Sequence, residues 1–161
     1  MSGSMIDFTL GKARFVYRAV GVAIHDEHVL LHRFDDADYW ILPGGRVEMG
    51  ETASEAVARE MREELGQEVT VGRLLWIAES FLKAERHNLH SIGLYYAISF
   101  PPTSDFHRDR LPFTTVDGRA HLSFAWHPLS ALDALTISPP FLRRYLRELP
   151  QSPMHILDIR N

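Results

Sequence analysis

The 161 residues contain no cysteine, which excludes a disulfide framework, a thiolate zinc centre and a cysteine nucleophile together. Lysine is nearly as scarce, with Lys12 and Lys83 set against fifteen arginines. Few lysines and a formal net charge of −4 argue against the basic groove that nucleic-acid binding requires. The planar fork of arginine nevertheless suits phosphate oxygens. No apolar run approaches the length of a membrane span, and the N-terminal stretch MSGSMIDFTLGKARF lacks the apolar segment of a signal peptide. A cytoplasmic protein without a membrane partner is therefore expected. Repeats, low-complexity tracts and linkers are also missing. One domain over residues 1–161 is expected, with 1–13 as a flexible lead-in, and 45% hydrophobic residues suffice to fill its core.

What is present alternates between two periods. Residues 14–24 (RFVYRAVGVAI) are rich in β-branched and aromatic side chains and predict a strand. His25–His28 then supply a turn and 29–34 the hairpin partner. A polar loop over 35–38 precedes a short apolar strand over 39–45, ended by Pro-Gly-Gly. A helix is predicted from Ala53 to Leu65, with Thr52 as N-cap, Glu55 at the capping-box position and Gly66 after the last turn. Val57, Met61 and Leu65 give that helix a core-facing stripe. Strands follow at 69–82 and 90–100, then a long loop over 101–120 and a strand at 122–126. A small helix, a second helix within 139–149, and a last strand or packed tail at 154–159 complete the pattern of a mixed α+β domain.

Within residues 45–67 (GRVEMGETASEAVAREMREELGQ), Glu60, Glu63 and Glu64 stand at i, i+3 and i+4 and share one helix face. Like charges at this spacing weaken a helix, a cost that a bound cation offsets, and carboxylate oxygens suit Mg²⁺ or Mn²⁺. For three glutamates alone, a solvated, salt-bridged surface helix is the simpler reading. Gly45, Glu51, Arg59 and Gly66 at fixed offsets reverse that preference. Gly45, five residues, Glu51, seven residues, then Arg59-Glu60-Met61-Arg62-Glu63-Glu64-Leu65-Gly66 resembles the signature of the Nudix hydrolases. The departure is Gln67, where the signature has an aliphatic residue. The WILPGG lead-in and the FAWHPLSAL segment extend the resemblance over most of the chain.

The resemblance implies a Nudix-like α/β/α sandwich with a mixed central sheet. It also implies metal-dependent hydrolysis of a diphosphate linkage in a nucleoside diphosphate joined to a group X: a nucleoside triphosphate, ADP-ribose or a sugar nucleotide. Mg²⁺ or Mn²⁺ is the implied cofactor, with Glu60, Glu63, Glu64 and the backbone carbonyl of Gly44 or Gly45 as ligands. Arg59 is implied to orient Glu60 and to be held by Glu51. A small nucleotide-type substrate is the implied partner, and a homodimer is a family-level expectation.

Glu60 is the first choice for general base. Asp117 is the second, ahead of Asp105 and Asp109 on the same late loop, although Asp117-Gly118 reads more simply as a turn. His121 is the third. Arg46, directly after the Gly-Gly break, is the candidate phosphate ligand, preferred over Arg33 and over Arg62, which reads as a solvated helix position. Phe34, Tyr39, Trp40, Phe81 and Tyr95 are candidates to stack on a base or sugar, with Trp40 and Tyr95 reading more simply as core. His87 and His90 read as strand-end or substrate contacts and not as a zinc pair. Two alternatives remain: an RNA 5′-end pyrophosphohydrolase, and a non-catalytic nucleotide-binding regulatory module.

Overall fold

The structure, a computed structural model, describes residues 3–104, 113–117 and 120–161. Its centre is β2 (Ala13–His25), whose thirteen residues are mostly β-branched, aromatic or small and pair on both edges. β1 (Asp7–Leu10) and β4 (Gly44–Arg46) run antiparallel to it on one side, and β6 (Asn88–Ser99) runs parallel to it on the other. Beyond β6 lie β5 (Thr70–Leu82), antiparallel, and β9 (Met154–Arg160), parallel to β5.

At its far end β2 turns through Asp26 and Glu27 into β3 (His28–Phe34). Both turn residues are left-handed (φ 46° and 58°), as a two-residue hairpin matching the strand twist requires. β3 continues to β8 (Ala120–Pro128) and β7 (Phe113–Asp117), all antiparallel.

Side-chain alternation along β2 divides the core in two. Ala19 and Ala23 pack with Val57, Met61 and Leu65 of α1 (Ala53–Leu65). Val20 and Val22 pack on the opposite face with Leu132 of a 3-10 turn (Leu129–Ala134) and with Leu142 and Leu146 around α2 (Leu142–Tyr145). The result is a mixed sheet between helical layers, an α+β sandwich.

Four elements differ from expectation. Residues 39–43 are not a continuous strand: Trp40 and Ile41 make isolated bridges, and the paired segment is β4. The late loop contains β7, whose alternating exposure marks an outer strand. The helix within 139–149 shrinks to the four residues of α2. Two prolines precede it, Pro150 follows, and a single turn already buries Leu142 and Leu146 fully. Residues 7–10, in the expected lead-in, form β1. Among the described residues no helix is long and apolar enough to cross a membrane.

Candidate active site

The start of α1 is fixed by a complete capping box. The Glu55 N–H donates to Thr52 Oγ1 (3.2 Å), and the Thr52 N–H donates to the Glu55 carboxylate (2.7 Å). This sets the helical phase that brings Arg59, Glu60, Glu63 and Glu64 to β4. Glu60 and Glu64 are buried at 8% exposure each, whereas the Glu63 side chain is exposed.

Arg59 is the hub of the acidic group. Its Nε and Nη2 hold Glu51 (3.2 and 2.7 Å), Nη2 also donates to the carbonyl of Arg46 (3.0 Å), and Nη1 donates to Glu60 (2.8 Å) and Glu63 (3.2 Å). Glu51 accepts a further bond from the Glu48 N–H (2.8 Å). The hydrogen bonds from Arg59 hold the Glu51 carboxyl below the usual carboxylate range. Those to Glu51, then to Glu60, raise the guanidinium well above its ordinary value. Glu60 lies directly against Gly45, where a Cβ would come within 2.1 Å of its carboxylate. Any side chain there would displace the acid.

A cavity of about 430 Å³ opens at this point. α1 contributes Glu60, Glu63 and Glu64, β4 contributes Gly44, Gly45 and Arg46, and β2 contributes Arg14 and Arg18. Arg46 and Arg14 share one carboxylate: Asp7 of β1 accepts from Arg14 (2.9 and 2.5 Å) and from Arg46 (2.9 Å). The Arg14 bonds, with help from Arg46, draw the Asp7 carboxyl down to about 2. Arg18 makes no hydrogen bond or ion pair through its side chain among the described residues.

Among the described residues no three carboxylate or imidazole groups close on one point as a ligand shell. Arg59 draws Glu60 and Glu63 to its own Nη1 instead. The donor set nevertheless fits a hard divalent ion in its chemistry, since it consists of carboxylate and carbonyl oxygens around one cavity.

A second cavity of about 310 Å³ shares Arg18, Phe34, Gly44, Glu64, Leu89 and Ser91 with the first and continues past His32, Tyr39 and Tyr95. His32 is 1% exposed and stacks on Phe124 (4.9 Å). Burial, with the nearby charge of Arg18, pushes its imidazole down to about 4. Burial also raises the Tyr95 hydroxyl to about 12.

Other candidates lie elsewhere. Trp40 packs edge-on to His127 (4.4 Å) beneath Arg33 (5.0 Å). Phe81 stacks on His90 (4.4 Å), and His87 borders a separate open hollow with Phe8 and Arg86. Arg62 is an exposed partner of Glu68 (2.7 Å). His121 lines neither of the two cavities. Asp105 and Asp109 lie outside the described residues, as does the side chain of Asp117, whose backbone pairs with Ala120. The atypical Gln67 meets the Ser104 hydroxyl (3.4 Å), a polar contact in place of the aliphatic one. Sequence reading passed over Asp7, Arg18 and His32, since none belongs to a motif.

The family model of the NUDIX domain matches residues 16–149, the span that holds the lining of both cavities except for Met5, Arg14 and Arg160. The chain belongs to the Nudix family. A dihydroneopterin triphosphate diphosphatase of Escherichia coli (strain K12) is 29% identical over 68% of this chain and 74% of its own length. A CTP pyrophosphohydrolase of the same bacterium is 53% identical over 24% of this chain and 28% of its own. The chain spans about a quarter of the length of two further curated relatives, from Caenorhabditis elegans and Bacillus subtilis. The Mutator MutT protein from Bacillus halodurans shares this Nudix fold with a TM-score of 0.58 at 17% identity, over 87% of this chain and 89% of that one.

Proposed function

We propose that the protein hydrolyses a diphosphate linkage in a nucleoside diphosphate joined to a further group, using Mg²⁺ or Mn²⁺. The observation that carries this reading is the 430 Å³ cavity, where three glutamates of α1 meet three arginines of β2 and β4. Acidic and basic groups could simply have paired with one another. Instead two of these glutamates, Glu60 and Glu63, gather on Arg59 and two of the arginines on Asp7. The cavity keeps both a cation-seeking and an anion-seeking part, as an anionic substrate with a divalent counter-ion requires.

Glu60, Glu63, Glu64 and the Gly44 carbonyl would hold the ion, which when bound supplies positive charge to the phosphoryl oxygens and makes water more acidic. Arg59 keeps Glu60 ionised and in one rotamer, and Glu51 with the Arg46 carbonyl keeps Arg59 in place. Glu60, desolvated against Gly45, is the group proposed to take the proton of the attacking water. Arg46 and Arg14, splayed on Asp7, present their remaining N–H groups to phosphate oxygens. The relatives named for triphosphate substrates support this reading over a non-catalytic one, and all motif carboxylates are present.

The test is product release from a panel of nucleoside triphosphates, ADP-ribose, sugar nucleotides and triphosphorylated RNA, with Mg²⁺, Mn²⁺ or EDTA. Metal-dependent release of a nucleoside monophosphate or of phosphate from a small substrate is expected. Turnover of the RNA alone, or unchanged turnover in EDTA, would overturn the reading.

A further inference from the structure

The second cavity has a floor that strand register explains. Side chains paired across neighbouring strands share a face, and the register aligns Arg18, Gly93, Ala78 and Ile156 in one row across β2, β6, β5 and β9. The next row is Val16, Ser91, Ser80 and Asp158. The middle of both rows is made of glycine, alanine and serine, so the sheet is hollow there. A Cβ on Gly93 would approach the Tyr95 ring to 2.9 Å, which keeps that position bare.

Two hydroxyls in this hollow lack protein partners among the described residues. Ser80 and Ser91 are 5% and 9% exposed, line the cavity, and make no side-chain hydrogen bond among the described residues. His32, which lines the same cavity, has the backbone of Leu42 as its partner. Unpaired buried polar groups each cost roughly 1–3 kcal/mol, and serine hydroxyls, which both donate and accept, match hydroxyls on a ligand. Arg18 stands at the boundary of the two cavities with its guanidinium unpaired. Asp158, next in the serine row, is occupied by Arg160 (3.1 Å). The hollow therefore offers hydroxyls and a cation, and an apolar or cationic ligand would leave them unsatisfied.

We propose that this hollow is a binding site for a phosphorylated sugar, with Arg18 anchoring the phosphate and the Ser80–Ser91 pair bonding the sugar hydroxyls. The sugar phosphate is one half of the substrate, an assignment that rests on the diphosphate reading of the adjoining cavity. Its source is either the ribose 5′-phosphate of a nucleotide or the hexose 1-phosphate of a sugar nucleotide.

The experiment is calorimetric titration of the protein in EDTA with ribose 5-phosphate, glucose 1-phosphate, ribose and inorganic phosphate. At least one sugar phosphate is expected to bind about tenfold tighter than either ribose or inorganic phosphate, and the tighter one identifies the source. R18Q should weaken it about tenfold, the scale of a lost charged hydrogen bond, with R18K recovering part of the loss. The S80A/S91A double variant should weaken the sugar phosphate about threefold or more while leaving inorganic phosphate unchanged, a split that a merely structural role would not give. If glutamine at 18 unfolds the protein, R18K and the serine pair decide alone.

Sugar phosphates binding no tighter than inorganic phosphate, or R18Q binding like the wild type, would overturn the proposal. Sugar-phosphate binding that behaves as expected in a protein that cleaves no diphosphate would sink only the catalytic reading. Diphosphate cleavage that is indifferent to R18Q and S80A/S91A would sink only this one.

Discussion

Two hubs border the main cavity with opposite arithmetic. On α1 one arginine, Arg59, collects three glutamates; on β1 one aspartate, Asp7, collects two arginines. Each hub thus carries an excess of charge of its own sign, three carboxylates to one guanidinium on one side and two guanidiniums to one carboxylate on the other. The acidic hub rests on a capped helix and a largely covered guanidinium, whereas the basic hub rests on a short strand and two half-exposed side chains. Rigidity should therefore matter most on the acidic side, and effects should shrink in passing from one hub to the other.

The largest expected effect is that of Glu60→Gln, which keeps the shape and removes the charge. A fall in kcat of about 10²-fold or more is expected, measured as product release with Mn²⁺, at an unaltered melting temperature. A wild-type rate would remove Glu60 from the reaction. Next comes Arg59→Lys, where a point charge replaces a fork that bonds Glu51, Glu60, Glu63 and a carbonyl. The metal concentration for half-maximal rate should rise roughly 10- to 100-fold. If it stays put, Arg59 does not orient the acids.

Asp7→Asn breaks the other hub. KM should rise about 3- to 10-fold with little change in kcat, since charge-assisted bonds position the two arginines without touching the proton transfer. A loss in kcat as large as that of the Glu60 variant would mean the two hubs are not separable.

Acid sharpens the same contrast. His32 resists protonation in the folded protein until about pH 4, whereas the unfolded imidazole takes its proton near the usual 6.5. Its contribution, on the order of 3 kcal/mol, is thus complete above 6.5 and lost as pH falls toward 4. The Asp7 clamp, with its carboxyl at about 2 against an ordinary 3.8, is complete above 3.8 and lost only as pH falls through 2. Chemical denaturation of His32→Gln from pH 7 to 4 should show a flatter stability profile than the wild type. An identical slope would mean another group governs acid sensitivity. The smallest effect belongs to Arg62→Ala, whose exposed pair with Glu68 is screened by water; kcat/KM should stay within about twofold of wild type.

Much of α1 could be read in advance, because local signals fix it: Thr52 and Glu55 at its start, Gly66 at its end, and an i+4 stripe between. The acidic side of the site came with it, being confined to one contiguous segment. Of the basic side, only Arg46 was marked in advance. Asp7, Arg14, Arg18 and Arg46 meet only through the pairing of β1, β2 and β4, and register between distant strands leaves no local mark on the chain. Ser80 and Ser91 were invisible for the same reason, since each is an ordinary strand residue until β5 and β6 place them opposite one another. Helical spacing over 139–149 overstated α2 because Leu142 and Leu146 satisfy both a long helix and a single turn.

β2 carries Arg14 and Arg18 on the same parity as Val20 and Val22, while Phe15, Tyr17 and Ala19 occupy the other. One extra residue inserted between Arg18 and Ala19, with Ala19–His25 held in register, would therefore rotate two guanidinium groups into the oily side beneath α1 and swing aromatic rings toward the cavity. Such a slip would penalise folding and chemistry at once. Charge here acts as a ratchet on strand alignment, and a slip that withdraws the guanidinium groups from the cavity should also cost the protein its fold.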